Sequence, residues 1–283
     1  MPISIDFPKL SAIPSEVPLL ASIRPRWTRE AIAEISHQFR IEGEPRDAGA
    51  WSIVRDQRGV LEIYQNSHSF RFERLDIDGE GRYGTVEGLP HEQAIEIASR
   101  FVAENAARGA GVGEPIVTEH EVLVAEREGS EPTRLLAGLQ ISYRFTIDGF
   151  DLMGPGAKAQ ATIGPDAEIA GAYRFWREVR AIGSVTTIAA DAAAERFAAS
   201  ELFADLEDGV ARCEITGVRF GYLTRPPTEA QGTLLPAYEF RGVLSTEALP
   251  RYEFTNYVLG CELDEGDEKW ANRVGSLSQR LVG

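Results

Sequence analysis

Apolar residues recur with helical spacing in three segments of the chain. These stripes predict helices over residues 28–40, 90–107 and 187–204. Hydroxyl side chains that can cap a helix start stand at Thr28 for the first helix and at Thr186 or Thr187 for the third. The strongest stripe, with the i, i+3, i+4, i+7, i+8 spacing, consists of Ala94, Ile97, Ala98, Phe101 and Val102.

Between the predicted helices, apolar and polar residues alternate instead. A period of two is the pattern of a strand with one buried face, and short turns between such runs favour antiparallel hairpins. We therefore expect an α+β fold that repeats one unit, a helix followed by a curled antiparallel sheet. The longest alternating run buries Leu139, Ile141, Tyr143, Phe145 and Ile147 on one side.

The repeats suggest four segments. Five prolines within residues 1–26 predict an extended arm, which is too apolar to remain free and should pack against the body. One unit is expected over residues 27–88, a second over 89–183 and a third over 184–283. The third would end in a tail with a short helix around Trp270.

Several glycine-containing turns form a recognisable set. They read IDG at 147–149, MGPGA at 153–157 and GPD at 164–166, followed by FGY at 220–222 and LPAYEF at 235–240. Glycine in the MGPGA turn permits a positive φ. As a set, these motifs resemble the PepSY-like modules of secreted peptidase propeptides and of accessory proteins that regulate sensor kinases.

The resemblance covers roughly residues 90–263 and has one departure, since Ala167 follows Asp166 where the pattern has glycine. It implies cystatin-like α+β modules that bind or inhibit another protein. It does not imply catalysis.

The charge balance narrows the classes of partner. The chain has 29 Lys and Arg against 44 Asp and Glu, a formal net charge of −15. Nucleic-acid backbones and anionic lipid surfaces select for clustered basic residues, so we expect neither nucleic acid nor membrane as a partner. The chain has no apolar run near the ~20 residues of a membrane helix and no leader pattern at its start, which favours a cytoplasmic protein, or a secreted one whose signal peptide was removed.

Residue types that carry covalent or metal chemistry are sparse. His37, His68, His91 and His120 lie far apart without the spacing of a zinc site, and Cys213 and Cys261 read as small core residues. The glycines at 154–156 lack the Lys and Ser or Thr of a phosphate loop. We therefore expect no cofactor and no metal.

The run from 169 to 179 suggests a binding surface. Tyr173 and Phe175 alternate with Arg174 and Trp176, so the strand is either core with a snorkelling arginine or the wall of a ligand site. If the protein is a binder, an open sheet face should carry Arg144, Arg174 and Trp176. The full set of expected partner-binding residues is Arg144, Arg174, Trp176, Tyr143, Tyr173, Tyr222 and Tyr238.

Two functions remain open from the sequence. The first is a non-catalytic binding or regulatory protein that acts on a protein or peptide partner. The alternative is a cofactor-free isomerase or cyclase of a bacterial small-molecule pathway, in which one buried acid or base (Glu214, Glu239 or Asp148) serves a small apolar ligand. A filled interior favours the first function and a cavity favours the second. The cavity would be lined by Tyr143, Phe145, Tyr173, Tyr222, Tyr238 and Phe240.

Overall fold

A computed structural model describes most of the chain, with three α-helices and sixteen strands in the described part. The described residues are 4–8, 12–75, 86, 88–105, 109–124, 131, 133–203, 212–245 and 251–262. The helices are α1 (Arg29–Gln38), α2 (His91–Asn105) and α3 (Ala190–Ala198), followed by a short 3-10 helix (Glu201–Phe203). The strands are β1 (Ser4–Asp6), β2 (Glu16–Ser22), β3 (Arg46–Asp47), β4 (Trp51–Arg55), β5 (Gly59–Tyr64), β6 (Ser69–Arg74), β7 (Gly111–Val112), β8 (Ile116–Val124), β9 (Thr133–Ile147), β10 (Phe150–Met153), β11 (Lys158–Ile163), β12 (Ile169–Phe175), β13 (Val179–Thr186), β14 (Arg212–Leu223), β15 (Thr233–Ser245) and β16 (Tyr252–Leu259).

All sixteen strands belong to one mixed sheet. Its main path runs β13-β2-β15-β14-β10-β9-β11-β12-β6-β5-β4-β3, while β1 joins at β14, β16 at β15, and β7 and β8 at β9. Most neighbours are antiparallel, but β14 pairs in parallel with both β10 and β1. The expected repeat of separate helix-plus-antiparallel-sheet units is therefore wrong, because a continuous mixed sheet runs through all three helix-containing segments.

The long strand β9 connects the two halves of this sheet. It pairs with β8 over residues 133–142, with β11 over residues 139–144, and with β7 and β10 near its end. The predicted alternation is confirmed, since every second residue from Leu139 to Ile147 is buried. With 15 residues, β9 is long enough to pair with β11 of one half of the sheet and, near its end, with β10 of the other half.

The predicted helices are confirmed in number and position. Thr28 caps α1 and its hydroxyl accepts a hydrogen bond from the Ala31 amide at 3.2 Å, as predicted. The predicted cap of α3 is wrong. Ala189 occupies that position without a side-chain bond, while Thr186 ends β13 and Thr187 forms a bridge with Cys261. The helix predicted around Trp270 lies outside the described residues.

All three helices pack on the same face of the sheet. Phe39, which caps the end of α1, stacks on Phe72 with ring centres 4.2 Å apart, and its ring centre lies 6.2 Å from that of Phe101 of α2. In α3, Phe197 stacks on Phe240 at 4.6 Å. Strand register continues this face from β6 across β9 and β10 to β15. The residues buried under α1 and α2 form one core whose members range from Leu20 to Leu234 in the sequence, while the residues under α3 form a second core.

The N-terminal segment is extended and is part of the sheet. β1 lies parallel to β14, and β2 lies between β13 and β15. Tyr222 donates its hydroxyl proton to the carbonyl of Pro18 at 2.7 Å, which ties this segment to the core.

The turn at 154–156 is held against the residue that follows β14. Gly154 has a φ of +86°, which favours glycine. Gly156 faces the Arg225 carbonyl so closely that a Cβ would overlap it, and its amide donates to the Thr224 hydroxyl at 3.2 Å. Within the described residues, no helix has both the length and the apolarity to span a membrane.

Candidate binding face

The sheet face opposite the helices bears a shallow concavity. We call this face, identified by Arg144, Lys158, Tyr173 and Phe175, the helix-free face, because no described helix packs on it. The concavity holds about 470 Å3 over β5, β6, β11 and β12, within the roughly 300–1,000 Å3 typical of ligand pockets. The side chains that line the concavity and could contact a ligand are those of Tyr64, Arg71, Glu73, His120, Gln160, Thr162, Tyr173 and Phe175.

Three aromatic rings form the floor of the concavity. The rings of Tyr173 and Phe175 are stacked with centres 4.6 Å apart, and Tyr64 meets Phe175 edge-on at 5.7 Å. The Tyr173 hydroxyl donates to Gln160 Oε1 at 2.5 Å. Burial raises the pKa of Tyr173 to about 12, so this hydroxyl stays protonated at neutral pH. The floor is therefore mainly apolar, with the Gln160 amide beside Tyr173 and the Glu62 carboxylate, which accepts from the Tyr64 hydroxyl at 3.0 Å, beside Tyr64.

Lys158 lies at the edge of this aromatic floor. Its Nζ is 5.3 Å from the centre of the Tyr173 ring, a cation–π distance. Register places Lys158 between Phe175 on β12 and Arg144 on β9. Burial lowers the pKa of the ammonium, and no described carboxylate forms an ion pair with it.

Beyond Arg144 the same face carries a buried ion cluster. Glu239 is 2% exposed and its Oε1 accepts from Arg219 Nε at 3.0 Å and from a terminal nitrogen at 2.7 Å. Arg241 Nε lies 2.6 Å from the same oxygen, without hydrogen-bond alignment. Arg219 also donates to Asp151 at 2.9 Å.

Arg144 completes this cluster without contacting an acid. Burial lowers its pKa, and the nearby Arg219 and Arg241 lower it further, against a raising effect of Glu239 and Asp151. Among the described residues its guanidinium has no hydrogen bond or ion pair. Arg144 and Lys158 are thus neighbouring cations on one face, and neither contacts an acid within the described part of the chain.

Most of the aromatic residues expected to bind a partner are core residues instead. Trp176 is 1% exposed and meets Phe145 edge-on at 5.1 Å. Tyr143, Tyr222 and Tyr238 are also buried. The three hydroxyls bond inside the protein, with Ser99, the Pro18 carbonyl and the Ile188 carbonyl respectively.

Arg174 also faces the helix side. Its guanidinium donates to the carbonyls of Asn105 at 2.9 Å and His68 at 2.6 Å, and it lies over the Phe70 ring. Burial lowers its pKa to about 10. The expectation that Arg144, Arg174 and Trp176 share an open face is therefore wrong. Only Arg144 and Tyr173 of the predicted set lie on the helix-free face.

Trp176 follows the last residue of β12 and keeps its alternation, since it lies on the helix side as Arg174 does, and the alternation ends at the residue after it. The next residue, Arg177, is buried and donates to the carbonyls of Asn66, Pro226 and Glu229. Desolvation lowers its pKa to about 10. Arg177 thus fixes the loop after β14, and its role is structural.

The residues proposed for the enzyme alternative do not converge. Glu214 and Asp148 are exposed, Asp148 in a turn with a φ of +50°. Glu239 is buried, but its oxygens contact two arginines and the Tyr257 hydroxyl at 3.2 Å. The aromatic rings expected to line a cavity are divided between the core under α1 and α2 and the core under α3, except Tyr173.

Metal and cofactor sites receive no support from the described residues. Within them, no cluster of three or more His, Cys, Asp or Glu could hold a metal ion. Cys213 and Cys261 are both buried thiols. His120 borders the concavity from β8.

Sequence reasoning missed Lys158, Gln160 and Thr162. They alternate along β11 with Ala159, Ala161 and Ile163, which are buried. That alternation is visible in the sequence, but residues as small as alanine do not indicate which face of the sheet a helix covers. The signal that points to Lys158 is a lone lysine in a strand whose other face is apolar.

Comparisons with known proteins identify the fold and not the family. No family model and no curated protein matches the chain. A solved structure of similar fold is an uncharacterized protein from Eubacterium rectale ATCC 33656, with a TM-score of 0.55 and 9% identity over 91% of this chain and 86% of that one. At 9% identity the likeness concerns the fold alone, and the PepSY-like resemblance stays a prediction.

Proposed function

We propose that this protein is a non-catalytic binding protein that recruits a protein or peptide partner to its helix-free face. The observation that supports this most is the aromatic concavity of about 470 Å3, with Tyr173 and Phe175 stacked on its floor. Aromatic residues dominate interface energetics because they bury a large area at low entropic cost.

The position of the concavity favours a segment of a larger partner over a small enclosed ligand. It lies on the outer surface of the sheet, and its rim carries the exposed ion pair of Arg71 and Glu73, 2.9 Å apart. An apolar centre with a polar rim is the ordinary anatomy of a protein interface. A single side chain of the partner would fill the centre while its backbone crosses the rim.

The isomerase alternative has weaker support. It requires an acid or base that reaches a substrate, and Glu239 already contacts Arg219, Arg241 and Tyr257. A buried carboxylate paired in this way is most simply a structural ion pair.

A random twelve-residue peptide library displayed on phage tests the proposed function. Selection on the wild-type protein should enrich peptides that no longer bind Thr162→Arg, which places a long cation on the floor of the concavity. Arg100→Ala, on the exposed side of α2, is the matched surface control and should bind as wild type does. Thermal melting of each variant establishes that it is folded.

Two results would overturn the proposed function. One is the absence of any enriched peptide after repeated selection. The other is enrichment of peptides that bind folded Thr162→Arg as tightly as wild type.

A further inference from the structure

We infer that the partner segment is acidic, with a carboxylate bound between Lys158 and Arg144 and an adjacent apolar or aromatic side chain seated on Tyr173 and Phe175. This inference rests on the proposed function and adds the chemical class of the ligand. It is carried by a row of side chains on the helix-free face.

The geometry of the row suits a single anionic group. Phe175, Lys158 and Arg144 are register partners on three consecutive strands. Adjacent strands lie about 4.8 Å apart, so an ammonium and a guanidinium on neighbouring strands can reach the two oxygens of one carboxylate. The aromatic floor begins on the other side of Lys158, since its Nζ is 5.3 Å from the Tyr173 ring centre.

Neither cation has an acidic partner among the residues that the structure describes. Among the described residues, no carboxylate contacts Lys158 or Arg144, although burial lowers the pKa of both. A desolvated cation without a partner is unfavourable, and proteins seldom keep two side by side unless an anion binds them.

The neighbouring ion cluster contributes no net charge at this place. Arg219 and Arg241 face Glu239 and Asp151, so those four charges cancel. Arg144 and Lys158 then leave two positive charges at this end of the helix-free face, while Glu62 and Glu73 flank Arg71 at the far side of the concavity, on a chain of net charge −15. The Debye length is about 8 Å at physiological salt, so the distant acidic groups are largely screened and the local charges decide which ligand binds.

A polyphosphate chain would also offer anions and stackable bases. Two unpaired cations are few for phosphate-backbone binding, which neutralises several charges at once, and the net charge of −15 repels a long polyanion. A short acidic peptide segment needs only one or two contacts. The proposed ligand is therefore a short acidic peptide segment.

The test uses fluorescein-labelled hexapeptides and fluorescence anisotropy. The first peptide is Gly-Ser-Glu-Phe-Gly-Ser, and in two others Gln or Lys replaces Glu. A six-nucleotide oligouridylate is the fourth probe. The Glu peptide should bind wild type about tenfold more tightly than the Gln peptide, as expected for one charge-assisted pair, and more tightly than the oligouridylate.

Variants assign the effect to the two cations. Lys158→Met and Arg144→Met should each weaken the Glu peptide about tenfold and leave the Gln peptide unchanged. Arg100→Met, on the helix side, should change neither. Lys158→Glu should instead bind the Lys peptide more tightly than the Glu peptide, a reversal that an unfolded protein cannot produce.

The outcomes separate this inference from the proposed function. Equal affinity for the Glu and Gln peptides, or tighter binding of the oligouridylate, would overturn the acidic-ligand inference. If library-selected neutral peptides still lose affinity for Thr162→Arg, the proposed function stands without it. If neither the library nor the hexapeptides depend on the helix-free face, both fail.

Discussion

The ammonium of Lys158 lies 5.3 Å from the centre of the Tyr173 ring. The two side chains belong to adjacent antiparallel strands, two register positions apart and so on the same face. An aromatic ring therefore holds a partly desolvated cation in place beside the concavity. The charge of Lys158 should therefore affect the stability of the protein as well as binding.

Lys158→Met should make the protein more stable. Methionine keeps most of the aliphatic stem over Tyr173 and removes an ammonium whose pKa is lowered by burial. We expect a gain of roughly 0.5–2 kcal/mol in the free energy of unfolding, measured by urea denaturation at pH 7. A loss of stability would show that the ammonium has a stabilising partner.

Phe101→Ala should destabilise the protein by about 3–5 kcal/mol. Phe101 is buried in α2 and contacts the rings of Phe39 and Phe70, at 6.2 and 6.3 Å. Its removal leaves a cavity where α1, α2 and the sheet meet. Leu123→Ala is the control, because Leu123 is 64% exposed and should cost less than about 0.5 kcal/mol. Equal losses in the two variants would contradict the assignment of this core.

Gly156→Ala should cost about 1–3 kcal/mol through overpacking. The added Cβ would overlap the carbonyl oxygen of Arg225, so either the turn or the loop after β14 must shift. Gly232→Ala tests the same loop without a clash, since no heavy atom lies within 4 Å of its Cβ position. Thermal melting should separate the two variants, and an unchanged midpoint for Gly156→Ala would refute the close approach.

His68 should make stability depend on pH below neutrality. Burial lowers its pKa, and Arg174 adds to this, while Glu178, 3.6 Å away, opposes it. The unfolded chain therefore binds a proton more readily than the folded protein as pH falls past about 6.5, and stability decreases with it.

The comparison of wild type with His68→Gln isolates this effect. Between pH 7.5 and 5.5 the wild type should lose stability relative to His68→Gln in urea denaturation. His91→Gln alters an exposed histidine in α2 and should follow the wild type. A constant difference between wild type and His68→Gln across this range would sink the prediction.

The local periodicity of apolar residues predicts the individual helices and strands but not how the strands pair into one sheet. The stripe that includes Phe101 identified α2 and its buried face, and alternation identified the inner side of β9. The parallel contact of β10 with β14 joins residues about 70 positions apart in the sequence, for example Asp151 and Gly221. No local pattern encodes such a pairing, so a repeat of similar elements was mistaken for a repeat of separate units.

Prediction of the candidate site from the sequence is limited in the same way, because alternation does not show which face of the sheet is covered. Alternation along β12 separated Tyr173 and Phe175 from Arg174 correctly, but it could not identify the face that the helices cover. Trp176 is buried because it lies on the helix side with Arg174, where it packs against Phe145. The side chains under α2 at this point include the small Ala161 and Ala172, so size alone suggested the opposite orientation.

Site-specific photo-crosslinking is the most direct test of whether the partner binds the helix-free face. Benzoylphenylalanine would replace Phe175 on the helix-free face in one variant and Arg100 on α2 in another, each mixed with a library-selected peptide and irradiated. If the partner binds the helix-free face, a covalent adduct should form from position 175 and none from position 100. An adduct from position 100 alone, or equal yields from both, would contradict binding at this face.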